Sequence, residues 1–504
     1  MYIYRHLKKY MTSKKTCLVI GAGIAGLAAA IRMAHKGYAV SVLDKNAQPG
    51  GKLSEVIAGN YRFDFGPSLF TLPEHLEELF SDCNRSLSDY LHYSPINPGH
   101  RYFYEDGKTF DAYQGAEKFA EEAERVFGEP KQRTLTYLKK SARKYSLTKD
   151  TFLSKSLHKA STYLSWKVLK SFLFSYQLDA FKTLHQLHAQ TFKSTPLVQL
   201  FDRYATYNGS NPYKAPATLS LIPHLEINNG VYYPTGGMFA ITKALVRLAE
   251  ELGVRIEFNT WVEELILEKN TAIGIRTNDK IRKADCIISS MDIFYTYSKL
   301  LPTFPKPTRI LDQEKSSSAL VFYWGIKKSF PNLLLHNILW SRSYEKEFNE
   351  LYTKKSISDD PTLYINISSK HSPEDAPEGC ENWFVMVNVP HDSGQDWECL
   401  LKKTRENTIA KINSVLNTNI EAYIEVEEQL TPTSMDQKTL SAFGALYGNS
   451  SNTRWASFLR HANAHSTISN LYFCGGTVHP GGGLPLCLRS AKIATDLIPS
   501  ALVG

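Results

Sequence analysis

Gly21, Gly23 and Gly26 stand in the spacing G-x-G-x-x-G, with Ile24 and Ala25 completing the turn, and Asp44 follows 23 residues after Gly21. These residue types in this order suit the binding of a dinucleotide. Gly21 permits a tight strand-to-helix turn, Gly23 lets backbone N–H groups approach a pyrophosphate, and Gly26 lets the helix pack close on a sheet. A carboxylate at the place of Asp44 accepts from a ribose hydroxyl. Lys45 and then Gly50-Gly51-Lys52-Leu53 come close behind. Adjacent glycines followed by a cation make a second anion-binding turn. An extended FAD uses such a turn, whereas an NAD site does not need it. Gly66-Pro67-Ser68 adds a turn that can pass close to a ring system. Far along the chain, Gly475-Gly476 is expected to face the pyrophosphate or ribitol. Gly483-Leu484-Pro485, opening a terminal helix, would present N–H groups and a positive dipole end to the flavin O2 side. His479 lies between these two turns and is either a catalytic group or a turn histidine.

Around these residues, the apolar run at 17–20 reads as a buried strand, 27–35 as a helix and 39–43 as a second strand ending at Asp44. Helices are expected at 74–80, 116–126 and 241–252, and a hairpin around Asp106-Gly107. In the 116–126 helix, Glu117, Glu121, Glu122 and Glu124 are expected on solvated positions. Residues 286–290 return to the nucleotide sheet, and 318–325, 362–367, 383–389 and 420–429 read as strands of a second sheet. Asp359-Asp360, Pro373-Glu374-Asp375 and His391-Asp392 read as solvated loops. The expected fold is α/β (α+β), a Rossmann-like FAD-binding domain interwoven with a mixed-sheet substrate domain and a helical membrane-contact lobe. Residues 14–90, 226–300 and 441–504 are assigned to the first, 91–130 and 301–440 to the second, and 131–225 to the lobe.

Hydrophobic content of 43% and charge of 21% fit a globular chain with sizeable cores. No apolar run reaches the roughly eighteen residues a spanning helix needs. Residues 1–10 lack the apolar core of a signal peptide, and Met11 is an alternative start. Seven scattered cysteines offer neither a disulfide framework nor a metal pair, so no metal site is expected and the setting reads as a reducing cytoplasm. The net charge of +8 is uneven: 131–193 holds thirteen Lys/Arg against Asp150 and Asp179, a net +11, and the remainder sums to −3. A general nucleic-acid surface is not indicated. Residues 164–176 put Leu164, Val168, Leu169, Phe172, Leu173 and Tyr176 on one arc of a helix, with Lys167 and Lys170 opposite and Phe174 between these lysines. Such a helix suits an anionic membrane interface, Trp166 and Phe174 entering the acyl boundary.

Three phrases extend the pattern: Arg203-Tyr204-Ala205-Thr206-Tyr207-Asn208-Gly209-Ser210-Asn211-Pro212-Tyr213, Tyr233-Pro234-Thr235-Gly236-Gly237-Met238, and Thr477-Val478-His479-Pro480-Gly481-Gly482-Gly483-Leu484-Pro485. With the glycine turns, they resemble the bacterial-type phytoene (carotenoid) desaturases of the FAD-dependent amine oxidase superfamily, over the whole chain. Two departures stand out: Lys52 replaces the usual arginine after the double glycine, and Val478 interrupts the Thr-His-Pro-Gly signature. The resemblance implies FAD as cofactor, with Val262 meeting the adenine through its backbone. It implies a membrane-dissolved C40 carotenoid as substrate, hydride transfer from an allylic carbon to flavin N5, and proton loss to complete the new C=C. A quinone or oxygen would reoxidise the flavin, and the protein would sit peripherally on the inner face of the cell membrane. The 203–213 phrase and the lysine-rich lobe are closer to 1'-hydroxycarotenoid 3,4-desaturases than to phytoene desaturases. A carotenoid isomerase using reduced FAD, a flavin amine oxidase and a non-catalytic lipid escort are the alternatives.

Overall fold

The computed structural model describes residues 14–149, 155, 178–179, 181–453, 456 and 459–502. The leader at 1–10 with Met11, and the amphipathic helix expected at 164–176 with Trp166 and Phe174, lie outside the described residues.

Strands β1 (Thr16–Ile20), β2 (Ala39–Leu43), β3 (Arg255–Glu257), β4 (Cys286–Ser289) and β5 (Leu471–Phe473) form a parallel sheet in the order β5-β4-β1-β2-β3. A parallel sheet covered on both faces needs apolar side chains pointing both ways. Accordingly, consecutive residues Cys17 to Ile20 and all of β4 are buried. Helix α1 (Ile24–His35) follows β1, and its alanines let it lie flat between α2 (Phe239–Glu251) and α3 (Leu484–Asp496). Ala28, Ala29 and Ala30 are fully buried there beside Leu245, Leu248, Ala491 and Ala494. One core thus joins the start, middle and end of the chain.

The second sheet has seven strands, in the order Ile424–Leu430, Ser318–Ile326, Glu381–Val389, Leu363–Ile367, His336–Leu339, His100–Phe103 and Thr109–Ala112. Its neighbours are antiparallel except His336–Leu339 against His100–Phe103. Ser318–Ile326 is buried on both faces. One face is covered by a hairpin, Glu55–Ala58 and Tyr61–Asp64, which sets Tyr61, Phe63 and Phe65 against Val321 and Tyr323. The Tyr323 hydroxyl donates to the Phe65 carbonyl at 2.6 Å. The hairpin therefore leaves the nucleotide sheet for the second sheet. Tyr93–Ile96 pairs with Val231–Pro234, a further crossing between the two halves.

Two solvated expectations are corrected. Glu122 is 8% exposed and accepts two hydrogen bonds from Arg125, because the helix Ala116–Phe127 turns that face toward Asp111. Asp375 is 1% exposed and paired to Arg62, described below. In the basic segment, Lys131 pairs with Glu117 and Glu121, Arg133 with Glu129, and Lys144 is buried against Asp179 and Ser220. Among the described residues no helix is long and apolar enough to cross a membrane.

Candidate active site

At Gly21 and Gly26 the first glycine turn admits no larger residue. Gly21 has φ +98° and donates its N–H to the Leu43 carbonyl at 2.7 Å. A Cβ on Gly26 would lie 2.0 Å from the Gly21 carbonyl oxygen and 2.7 Å from Ser290 Oγ. Ser290 Oγ reaches the Ile20 and Gly21 carbonyls at 2.9 and 3.0 Å, closing the turn from β4. No motif marks Ser290; only the pairing of β4 with β1 puts it there. Gly23 caps α1 with no side-chain acceptor, leaving first-turn N–H groups of that helix for an anion. Ile24 and Ala25 are buried in its first turn. Asp44 is oriented by the Ala22 N–H at 2.7 Å and the Asn46 N–H at 2.8 Å, one on each carboxylate oxygen. Each oxygen keeps a further lone pair.

The second and third turns close on the first. The Gly50 N–H donates to the Ala22 carbonyl at 2.9 Å, and Gly51 stacks on Gly23, where an added Cβ would sit 3.6 Å from the Gly23 Cα. The Leu53 N–H returns to the Gly50 carbonyl at 2.9 Å. Gly66 passes over Lys52, where a Cβ would meet the Lys52 carbonyl oxygen at 2.6 Å. Pro67 is exposed, and Ser68 is buried with its hydroxyl 2.7 Å from that of Tyr364. At the other end of the chain, Gly475 has φ +121° and donates to Ser490 Oγ at 3.1 Å, and Cys474 Sγ contacts the Ala25 carbonyl at 3.5 Å. Gly476 packs on Gly482. Gly483, with φ +102°, opens α3, with Leu484 and Pro485 in its first turn. Val262 is buried beside this cradle, two residues from Thr260, whose N–H donates to the Asp44 carbonyl at 2.8 Å.

The cations have specific partners. Lys45 donates to the Gln437 carbonyl at 2.8 Å, and Lys52 to the Leu446 carbonyl at 2.7 Å. Arg460, 4% exposed, donates to the carbonyls of Tyr447 and Gly476 at 3.2 Å and of Asn449 at 3.3 Å. Burial brings its pKa down to about 10. Lys315 is held by the Leu311 carbonyl and the Asn449 side chain. Among the described residues, no carboxylate lies within 4.0 Å of Lys52, Lys315 or Arg460. A buried cation without a counterion is costly. Asp292, buried close by, offsets Lys52 and Lys315 in part, yet burial still holds both lysines below their ordinary pKa, and the glycine cradle with these cations fits an anionic dinucleotide.

Other residues prove architectural. In Tyr233-Pro234-Thr235-Gly236-Gly237-Met238, a Cβ on Gly237 would lie 2.5 Å from the Arg62 guanidinium. Asp64 accepts from the Met238 and Phe239 N–H groups at 3.0 and 3.3 Å, capping α2. That phrase is a helix-capping turn packed on Arg62. The 203–213 phrase begins with a buried ion pair, Arg203 to Glu226 at 3.2 Å, with Tyr204 and Tyr207 donating to the same carboxylate. His479 is 2% exposed, and its Nε2 donates to the Lys155 carbonyl at 2.8 Å. Its own carbonyl accepts from Asn463 and Ser490. Thr477 accepts from the Ile293 N–H at 3.0 Å.

Two half-buried imidazoles weaken this fold in acid. Burial, with Arg489 adding, lowers His75 from 6.5 to about 4, and burial with Lys355 does the same to His391. The unfolded chain then binds more protons between these values, so the stability present above pH 6.5 is lost as pH falls toward 4. Melting temperature measured across that window is expected to fall monotonically with acid; a flat profile would refute the assignment.

Residues 24–499 match the family described as flavin-containing amine oxidoreductases. The chain is 50% identical over 490 residues to a 1-hydroxycarotenoid 3,4-desaturase of Flavobacterium sp. (strain P99-3), covering 96% of this chain and 99% of that protein. It is 31% identical to a zeta-carotene-forming phytoene desaturase of Myxococcus xanthus, covering 96% and 94%. Among solved structures, cyclohexylamine oxidase from Brevibacterium oxydans superposes with a TM-score of 0.61 at 14% identity, over 96% of this chain and 99% of the other.

Proposed function

The chain belongs to the flavin-containing amine oxidoreductase family, and from that premise we propose that it is an FAD-dependent carotenoid desaturase forming the 3,4 double bond of a 1-hydroxycarotenoid. The observation that carries this reading is 50% identity along nearly the full length of both chains, joined to a glycine cradle that suits a dinucleotide. Bound FAD supplies the two-electron acceptor for C–H removal.

In this proposal the turn Gly21, Gly23, Ile24, Ala25 and Gly26 holds the pyrophosphate at the N-terminus of α1, and Asp44 accepts from the ribose. Lys45, Gly50, Gly51, Lys52 and Leu53 border the phosphates, and Val262 meets the adenine. Gly475 and Gly476 lie along the ribitol, while Gly66, Pro67, Ser68, Gly483, Leu484 and Pro485 border the ring. Positive charge developing at an allylic carbon spreads along the polyene, so the protein's work is alignment and exclusion of water. His479, whose ring donates to the Lys155 carbonyl and whose own carbonyl accepts from the Asn463 side chain, is assigned to holding the turn. The division into 14–90, 226–300 and 441–504 for FAD and 91–130 with 301–440 for substrate is part of the same reading.

The membrane supplies the substrate, and the proposed contact is the basic segment 131–193 on the cytoplasmic face. Its net +11 supports this, as does Phe181, 81% exposed beside Lys182. A quinone or oxygen is the proposed electron acceptor. Expression in cells accumulating phytoene, lycopene or a 1-hydroxycarotenoid tests the reading by pigment mass and spectrum. Loss of two hydrogens with a red-shifted spectrum in the hydroxylated background is expected. Conversion only of phytoene would move the assignment to phytoene desaturation, a changed spectrum at constant mass to isomerisation, and no change in any background would sink it.

A further inference from the structure

The seven-stranded sheet buries two imidazoles that the cofactor cradle does not use. His100 and His336 are both 0% exposed, on adjacent parallel strands, with ring centroids 5.1 Å apart. His336 Nδ1 faces the Asn366 amide nitrogen at 3.1 Å and the Tyr364 hydroxyl at 2.8 Å. An amide nitrogen only donates, so Nδ1 is an acceptor. Burial holds the ring neutral, well below its ordinary range, which puts its one proton on Nε2. That N–H has no acceptor among the described residues. His100 Nε2 is also unpartnered, and Nδ1, although 3.3 Å from Glu226, makes no aligned hydrogen bond. Glu226 is already engaged by Arg203, Tyr204 and Tyr207. A small cavity opens beside His100, lined by Ile96, Gly99, Gln114, Glu226 and Val231.

Buried polar groups are rarely left unpaired, and two rings in contact, one of which, His100, lines a cavity, point to a missing hydrogen-bonding ligand. Both rings are neutral, and with the His100 proton on Nδ1 toward Glu226 the pair offers one donor, His336 Nε2–H, and one acceptor, His100 Nε2, which matches an alcohol and not an anion. It is also wired to the first half of the chain: Tyr364 joins His336 to Ser68, in the turn that packs over Lys52.

Resting on the desaturase reading above, we propose that the His100–His336 pair binds the C-1 hydroxyl of the carotenoid and so selects which end of the polyene enters. The hydroxyl oxygen accepts from His336 Nε2–H, and its O–H donates a hydrogen bond to His100 Nε2. In a 1-hydroxycarotenoid only C2 separates C1 from C3, so a group that holds the hydroxyl also holds the bond to be desaturated.

The test compares flavin-loaded wild type with His336→Phe, His100→Phe and His336→Gln, supplied in phosphatidylcholine vesicles with a 1-hydroxycarotenoid or the same polyene lacking the hydroxyl. Wild type should prefer the hydroxylated substrate. Each Phe variant should lose about tenfold to a hundredfold in kcat/KM on it, the scale of one buried hydrogen bond, with no loss on the parent polyene. Glutamine, which restores an N–H donor, should recover part of the preference. Equal losses on both substrates, or a wild type indifferent to the hydroxyl, would overturn the site while leaving desaturation intact. Conversion of neither polyene by flavin-loaded wild type would overturn the desaturase reading and this assignment with it. Where a Phe variant fails to retain flavin, His100→Asn is read in its place.

Discussion

Gly26→Ala is expected to purify without flavin. The added methyl would stand 2.0 Å from the Gly21 carbonyl oxygen, a backbone atom in a turn already at φ +98°. It would also press on Ser290 Oγ at 2.7 Å. No side-chain rotation relieves the first clash, so α1 must move off β1, and the N–H groups of its first turn move with it. Affinity for FAD should fall at least about a hundredfold, since geometry at a phosphate-binding helix terminus is shared by several N–H groups. Absorbance near the flavin maximum, relative to protein, reads the loss. Gly23→Ala is the informative companion. Gly23 has φ −72°, and the nearest atom to its Cβ is the Gly50 carbonyl at 4.0 Å, so the chain alone has room for a methyl. Flavin lost from Gly23→Ala at unchanged melting temperature would report the cofactor's own approach to the backbone. Full flavin content in both variants would refute the placement.

Arg62→Met should cost about 3–5 kcal/mol of stability, the range for removing one member of a buried ion network. Arg62 bonds Glu55 at 2.9 Å, Asp64 at 2.7 Å and Asp375 at 3.1 Å, and Asp64 and Asp375 are 4% and 1% exposed. Burial already pushes the pKa of both aspartates upward, with Arg62 opposing the shift. Without the guanidinium, two carboxylates either remain charged in the core or take up protons, and Asp64 loses its hold on the N-terminus of α2. Denaturant unfolding of Arg62→Met beside Arg62→Met/Asp375→Asn measures this, the second substitution recovering part of the loss. A single variant as stable as wild type would show that the network contributes nothing.

The glycine turns were legible because their constraints are local: the strand, turn, helix and acid of 16–44 lie within one βαβ unit. The same holds for the strand and glycine turn at 471–476 and for the helix opened by Gly483. The burial of charged residues is less legible in sequence. Glu122 and Asp375 look solvated by type and neighbours, yet one turns inward on its helix and the other meets an arginine 313 residues away. Ser290 and Arg460 carry no motif, because a hydroxyl or guanidinium bonded to main-chain carbonyls leaves no spacing in the sequence.

By itself the sequence determined glycine turns at both ends of the chain that suit a dinucleotide, a second β-rich half and a strongly basic segment. Glycine spacing and apolar periodicity act over a few residues and survive without knowledge of partners. Only the tertiary structure decided which groups are paired and which are left over. It set His100 beside His336 and spent Gly237 on Arg62. It also left Lys52, Lys315 and Arg460 with neutral partners among the described residues. Burial and pairing depend on strands brought together across hundreds of residues, and that register is fixed by the packed sheet as a whole.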